Sequence, residues 1–178
     1  ILDWEDRRTC VLFGDGAGAV VLQGVEGNGT MEDVGILANR LHSDGSKYEL
    51  LYVDGGPSAT QTVGHLRMEG QEVFRHAVEK LASTAHRALE KAGLESGDVD
   101  WIVPHQANLR INEFVAQKLK IPADKVFNNI ERYGNCSAAA IPMLLAEATR
   151  NGRLQPGHLV SMTAFGSGFT WASALVRW

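Results

Sequence analysis

Apolar residues at Val73, Phe74, Ala77, Val78, Leu81, Ala85, Ala88 and Leu89 recur every three to four positions, so residues 69–92 present one hydrophobic face at helical spacing. Gly93 follows as a stop, and the pattern predicts a helix over 69–92. Residues 109–119 repeat that spacing, and residues 137–150, rich in Ala and Leu, predict a further helix. Other apolar runs are shorter and continuous, as buried strands are. Strands are expected at 34–41, at 100–103 ending on Pro104, and at 125–127. Two hairpins are expected as well. Residues 9–13 and 17–23 are apolar runs joined by Gly14-Asp15-Gly16, and residues 158–165 and 169–176 are joined by Gly166-Ser167-Gly168. Both carry the string Phe-Gly-x-Gly, which points to an internal duplication. Residues 43–64 are polar and glycine-bearing, with Asp54-Gly55-Gly56-Pro57, and predict a surface loop. Strands alternating with helices place the chain in the α/β class.

Within that frame two polar side chains fall at the ends of strands. His105 follows the strand at 100–103 and precedes the helix at 109–119, and Asn135 follows Gly134 just before the helix at 137–150. In open α/β sheets the crevice beyond the strand ends binds ligands, so the two side chains are expected to face one site.

His105 in Pro104-His105-Gln106-Ala107-Asn108, Asn135 in Tyr133-Gly134-Asn135-Cys136-Ser137-Ala138-Ala139, and Phe165-Gly166-Ser167-Gly168-Phe169-Thr170-Trp171 stand in the order that resembles the β-ketoacyl-acyl carrier protein synthase III family. The resemblance spans the chain but corresponds to the second half of such an enzyme plus the last hairpin of its first half. It implies a thiolase-like α/β fold with layers αβαβα. Residues 1–24 would be that final hairpin and 25–178 the C-terminal half, with its core at about 89–178. The family's nucleophile, a cysteine of the first half, has no counterpart here.

The resemblance implies a condensing enzyme that starts fatty-acid synthesis, joining an acyl group from acyl-coenzyme A, acetyl foremost, to malonyl-acyl carrier protein with loss of carbon dioxide. That chemistry asks for a cysteine thiolate, donors to a developing oxyanion, and exclusion of water. His105 and Asn135 would be the donors, since fixed donors aimed at developing charge are often the largest catalytic contribution. Backbone N–H groups of the turn at Ser167 would serve a second oxyanion, with Phe165 lining the cavity. Gly70, Phe74, Ala107 and Asn108 match coenzyme A or pantetheine contacts, and Gln106, Arg110 and Lys118 match the carrier-protein surface. Ser167 stands where the family commonly has glycine, and Gln117 where some relatives have a basic residue. The implied partners are the N-terminal half with the nucleophile, a second copy in a homodimer, acyl carrier protein and acyl-coenzyme A, with no cofactor, in the cytoplasm.

Composition narrows the alternatives. The chain has 178 residues, 44% of them hydrophobic, and a formal charge of -4, with basic residues scattered rather than clustered, so nothing suggests nucleic-acid binding. No apolar stretch approaches the ~20 residues of a membrane span. The two cysteines lack CxxC spacing, and His42, His65, His76, His86 and His158 show no metal-ligand spacing. Cys10 reads as core and Cys136 as a packing residue. Three other readings remain open: a thiolase-like synthase of a secondary metabolite or long-chain ketone, a catalytically inert scaffold half, and a Cys136-dependent hydrolase.

Overall fold

The helix expected at 69–92 forms almost to the residue, and most of the other periodicities give the element they predict. The computed structural model describes residues 1–178 and runs β1 (Gly35–Ser43), β2 (Leu51–Val53), β3 (Leu66–Met68), α1 (Gly70–Ala92), β4 (Trp101–Pro104), α2 (Leu109–Leu119), α3 (Ile130–Tyr133), α4 (Ala140–Arg150), β5 (Leu159–Gly166) and β6 (Thr170–Arg177). Gly93 ends α1 in the left-handed conformation, its N–H returning to the carbonyls of Glu90 and Leu89. Asn108 opens α2 by accepting the Arg110 N–H on its side chain.

The C-terminal hairpin is the centre of the sheet. β5 and β6 pair antiparallel from Leu159 with Arg177 to Gly166 with Thr170. β1 adds to the outer edge of β6 antiparallel, and β4 adds to β5 in parallel, giving the order β1-β6-β5-β4. Alternation along each strand then loads both faces. Ala38, Ile102, Leu159 and Leu175 pack against α1 and α2, whereas Val103 and Val160 pack with Phe127, Leu154 and the α4 residues Leu144, Leu145 and Ala148. This chain therefore builds a three-layer α/β/α sandwich. Each fully buried Leu or Ile contributes roughly 1.5–3 kcal/mol from removal of apolar surface from water.

Three expectations need correction. The hairpin expected at 9–23 does not form: residues 9–12 are turns, Phe13 makes one isolated bridge to Asn135, and residues 14–28 hold no strand. A two-stranded ribbon is marginal without a larger sheet or packed face, and the chain offers no strand to this one. The strand at 125–127 is reduced to a single parallel bridge between Val126 and Ile102. The loop at 43–64 contains β2, which pairs with β3. That ribbon is held by charge, since Asp54 accepts from the His65 N–H at 2.7 Å and from Arg67 Nε at 2.6 Å, and Arg67 also reaches Asp3 at 2.9 Å.

Candidate active site

Pro104 ends β4, and the next N–H, that of His105, donates to the Thr163 carbonyl of β5 at 2.8 Å. The parallel pairing thus carries one residue past the strand and delivers His105 to the crevice before α2 begins. Burial is the sole influence on its imidazole and pushes its pKa below the ordinary histidine value. His105 is therefore neutral at neutral pH, with one N–H to donate.

Asn135 arrives by a different route. The short helix α3 ends at Gly134, whose φ of +66 and ψ of -160 is a conformation open in practice to glycine alone. The Asn135 backbone is then pinned by residues far earlier in the chain, its N–H donating to the Leu12 carbonyl at 2.9 Å and its carbonyl accepting from Gly14 at 3.0 Å. Its side-chain Oδ1 accepts from the Ser137 N–H at 2.9 Å. With the oxygen end occupied, the Nδ2 group is the free end of the amide, a donor that does not titrate.

Both side chains line one cavity of about 350 Å³, and 12 of its 20 lining residues are hydrophobic. α1 supplies Gly70, Val73, Phe74, Ala77 and Leu81, the turn after β4 supplies Ala107 and Asn108, and the end of β5 with the turn after it supplies Phe165, Gly166 and Ser167. His105, Asn135, Ser167, Phe165, Gly70, Phe74, Ala107 and Asn108 thus come together as expected from the sequence. A mostly apolar wall with few polar groups excludes water and strengthens the hydrogen bonds those groups can make. Phe165 is fixed edge-on against the buried Phe169, ring centroids 4.9 Å apart. In the turn itself the Gly168 N–H donates to the Leu51 carbonyl at 3.1 Å, whereas the Ser167 N–H donates to no backbone carbonyl.

The carrier-surface expectation fails at one position. Gln106 is fully buried and all its side-chain hydrogen bonds go to backbone groups, so it offers no surface to a partner. The resemblance implied a surface position, but a side chain able to donate and accept at once is what this crowded turn requires. Arg110 and Lys118 are exposed on α2, about 12 Å apart along its axis. Cys136 is buried, its Sγ within 3.3 Å and 3.4 Å of the Tyr133 and Asp15 carbonyls, and it does not line the cavity.

Sequence reasoning missed Arg8, Leu12, Phe13, Leu51, Leu66 and Met68 as cavity wall. Phe13 carried a usable signal, because it occupies in the first Phe-Gly-x-Gly the place that Phe165 occupies in the second. Arg8 carried none; it is exposed and held by Asp6, which raises its pKa.

Comparison with known proteins gives the same outline. Residues 89–178 match the family described as 3-oxoacyl-[acyl-carrier-protein (ACP)] synthase III C terminal, and residues 1–45 match 3-oxoacyl-[acyl-carrier-protein (ACP)] synthase III. This chain belongs to the synthase III family. It is 62% identical over 177 residues to the beta-ketoacyl-[acyl-carrier-protein] synthase III of Paramagnetospirillum magneticum, covering 99% of this chain and 55% of that protein. The chain thus spans about half the length of the curated relatives it matches. Among solved structures, the synthase III of Aquifex aeolicus superposes with a TM-score of 0.89 at 46% identity over 99% of this chain and 54% of that one. The Pseudomonas aeruginosa enzyme superposes at 0.90 and 42% identity with the same coverage. The α/β architecture is that of these thiolase-like synthases.

Proposed function

We propose that this chain supplies the enolate-stabilising half of a condensing enzyme that starts fatty-acid synthesis. The substrates are an acyl-coenzyme A, acetyl foremost, and malonyl-acyl carrier protein. The nucleophilic cysteine comes from a segment that this chain does not contain, and the complete enzyme is a cytoplasmic homodimer that needs no metal or redox cofactor. Residues 1–24 complete their hairpin against strands of that other segment. One observation carries the reading: a neutral imidazole and an asparagine NH2 with its oxygen end tied back share a mostly apolar cavity.

In the reaction the bond between the malonyl methylene and its carboxylate breaks, carbon dioxide leaves, and the electron pair moves onto the thioester oxygen. The His105 N–H and Asn135 NH2 donate to that oxygen. The enolate carbon then attacks the acyl carbonyl held on the cysteine, and the Ser167 amide donates to the tetrahedral oxyanion until the thiolate departs. Gly70 and Phe74 on one wall and Ala107 and Asn108 on the other hold the pantetheine arm, and Arg110 with Lys118 meets the acidic carrier protein.

The test is Asn135→Ala in the complete enzyme. Removing one such donor costs about 10²–10³ in rate, so malonyl decarboxylation falls by that factor while acyl transfer to the cysteine persists. Unchanged decarboxylation would sink the assignment. The similarity to curated synthase III enzymes at 62% identity favours fatty-acid initiation over a secondary-metabolite synthase, and the buried, carbonyl-facing Cys136 disfavours a hydrolase.

A further inference from the structure

Gln106 lies between the two turns that carry His105 and Asn135, yet its side chain lines no part of the cavity. It is 0% exposed. Its Nε2 donates to the carbonyls of Pro104 at 3.0 Å and Phe127 at 3.4 Å. Its Oε1 accepts from the backbone N–H groups of Asn129 at 3.0 Å and Ile130 at 3.2 Å. Two carbonyls at one end and two N–H groups at the other fix the amide's orientation without ambiguity. An apolar side chain here would remove the partner of all four backbone groups, three of which belong to buried residues, and each such loss is costly.

These bonds join particular places. Pro104 immediately precedes His105, while Asn129 and Ile130 open α3, the turn that ends at Gly134 and presents Asn135. α3 has four residues, too few to hold a position by itself. Its other side is tied to α4, where Glu147 accepts from Asn129 Nδ2 at 3.1 Å and pairs with Arg132. Burial would raise the Glu147 pKa, but these two partners outweigh it and hold the carboxyl below its usual range. Gln106 is thus the link on the His105 side of a clamp whose far side is Glu147.

We propose that Gln106 is a positioning residue: through its four backbone hydrogen bonds it sets the placement of the Asn135 NH2 relative to the His105 imidazole, and decarboxylation depends on it although it touches no substrate. This rests on the reading of His105 and Asn135 as the enolate-holding pair.

The experiment compares Gln106→Met, Gln106→Glu and Asn135→Ala with the parent in the complete enzyme. Malonyl-acyl carrier protein decarboxylation is followed as kcat and KM, and acyl transfer to the cysteine by mass spectrometry. A misplacement near 1 Å can cost about 10²-fold, so Gln106→Met loses about that much decarboxylation kcat, with KM and acyl transfer preserved. Gln106→Glu adds a readout that a merely structural role would not move. Its protonated carboxyl can donate to Pro104 while accepting from Asn129 and Ile130, whereas its ionised form sets an oxygen against two carbonyls. Decarboxylation by Gln106→Glu is therefore retained at acid pH and lost as pH rises through a carboxyl pKa raised by burial. Should Gln106→Met not fold, that pH profile within one folded protein decides. Decarboxylation and acyl transfer falling in step, or a pH-independent Gln106→Glu, would overturn the proposal. Retained decarboxylation in Asn135→Ala would overturn the underlying reading instead, and loss there with full activity in both Gln106 variants would remove the positioning role alone.

Discussion

The string Phe-Gly-x-Gly occurs as Phe13-Gly14-Asp15-Gly16 and as Phe165-Gly166-Ser167-Gly168, each between apolar runs, and the two copies adopt different structures. The second closes a hairpin at the centre of the sheet, flanked by β1 on one side and β4 on the other. The first has no neighbouring strand, runs without secondary structure, and leaves Val20, Val21 and Leu22 exposed. Equal local pattern therefore gives unequal structure, because a strand is stabilised by the pairs it makes across the sheet rather than by its own sequence. Yet both phenylalanines line the same cavity. The first copy is held by backbone bonds to Asn135 on either side of Phe13, so within this chain its contacts lie in the site and not in the sheet.

Substitutions at matching glycines separate those two roles. A Cβ on Gly14 would overlap the Tyr133 carbonyl oxygen, a backbone atom that cannot move without dragging Asn135. Gly14→Ala is expected to cost about 1–3 kcal/mol, the range of overpacked positions, measured by denaturant unfolding, and to lower decarboxylation more than acyl transfer. A Cβ on the matching Gly166 has as its nearest neighbour the Thr170 carbonyl oxygen at 4.0 Å. Gly166→Ala should stay within about 0.5 kcal/mol, as substitutions away from packed features do.

Gly168 and Gly16 are the second pair of matching glycines. Gly168 has φ +68 with nothing near a new Cβ, so Gly168→Ala is a backbone effect, expected to cost about 1–2 kcal/mol. At Gly16 a new Cβ would meet Met143 Sδ at 2.6 Å and the Cβ of the buried Cys136 at 3.0 Å. Within this chain Gly16→Ala therefore carries a packing cost, expected at about 1–3 kcal/mol, and no left-handed backbone cost such as that at Gly168.

A smaller effect follows from the His105 environment. Its pKa is lower folded than unfolded, so the unfolded chain binds the proton first as pH falls. The stability this neutral histidine carries is complete above the unfolded value of about 6.5. It is lost as pH falls through the folded pKa, at no more than about 1.4 kcal/mol per pH unit. The stability gap between the parent and His105→Gln, from urea unfolding at successive pH values, should shrink in that direction. Decarboxylation should show no histidine transition between about pH 6.5 and 8. The smallest expected change is at Arg110: Arg110→Ala should raise KM for the acidic carrier at low salt, with the difference closing as exposed charges are screened.

How much of this was legible follows the same division. α1 and α2 were readable because each buries one periodic face, and β4 and the C-terminal hairpin because each is a continuous apolar run buried on both faces; both patterns are local. β2 and β3 were not, since strands of three residues inside a polar stretch depend on Asp54 and Arg67 meeting across the ribbon. His105 and Asn135 stood out as polar residues at strand and turn ends. Gln106 stands beside His105 with equal polarity, and only the three-dimensional arrangement tells that it faces inward to four backbone groups.

The enolate-holding role of His105 and Asn135 is tested most directly by a crystal structure of the complete enzyme with a non-decarboxylating malonyl thioester analogue. The thioester oxygen is expected within about 2.7–3.1 Å of both an imidazole nitrogen of His105 and Nδ2 of Asn135, the distances at which donors stabilise an oxyanion. A thioester oxygen bound by other groups, with Asn135 Nδ2 turned from the ligand, would contradict it.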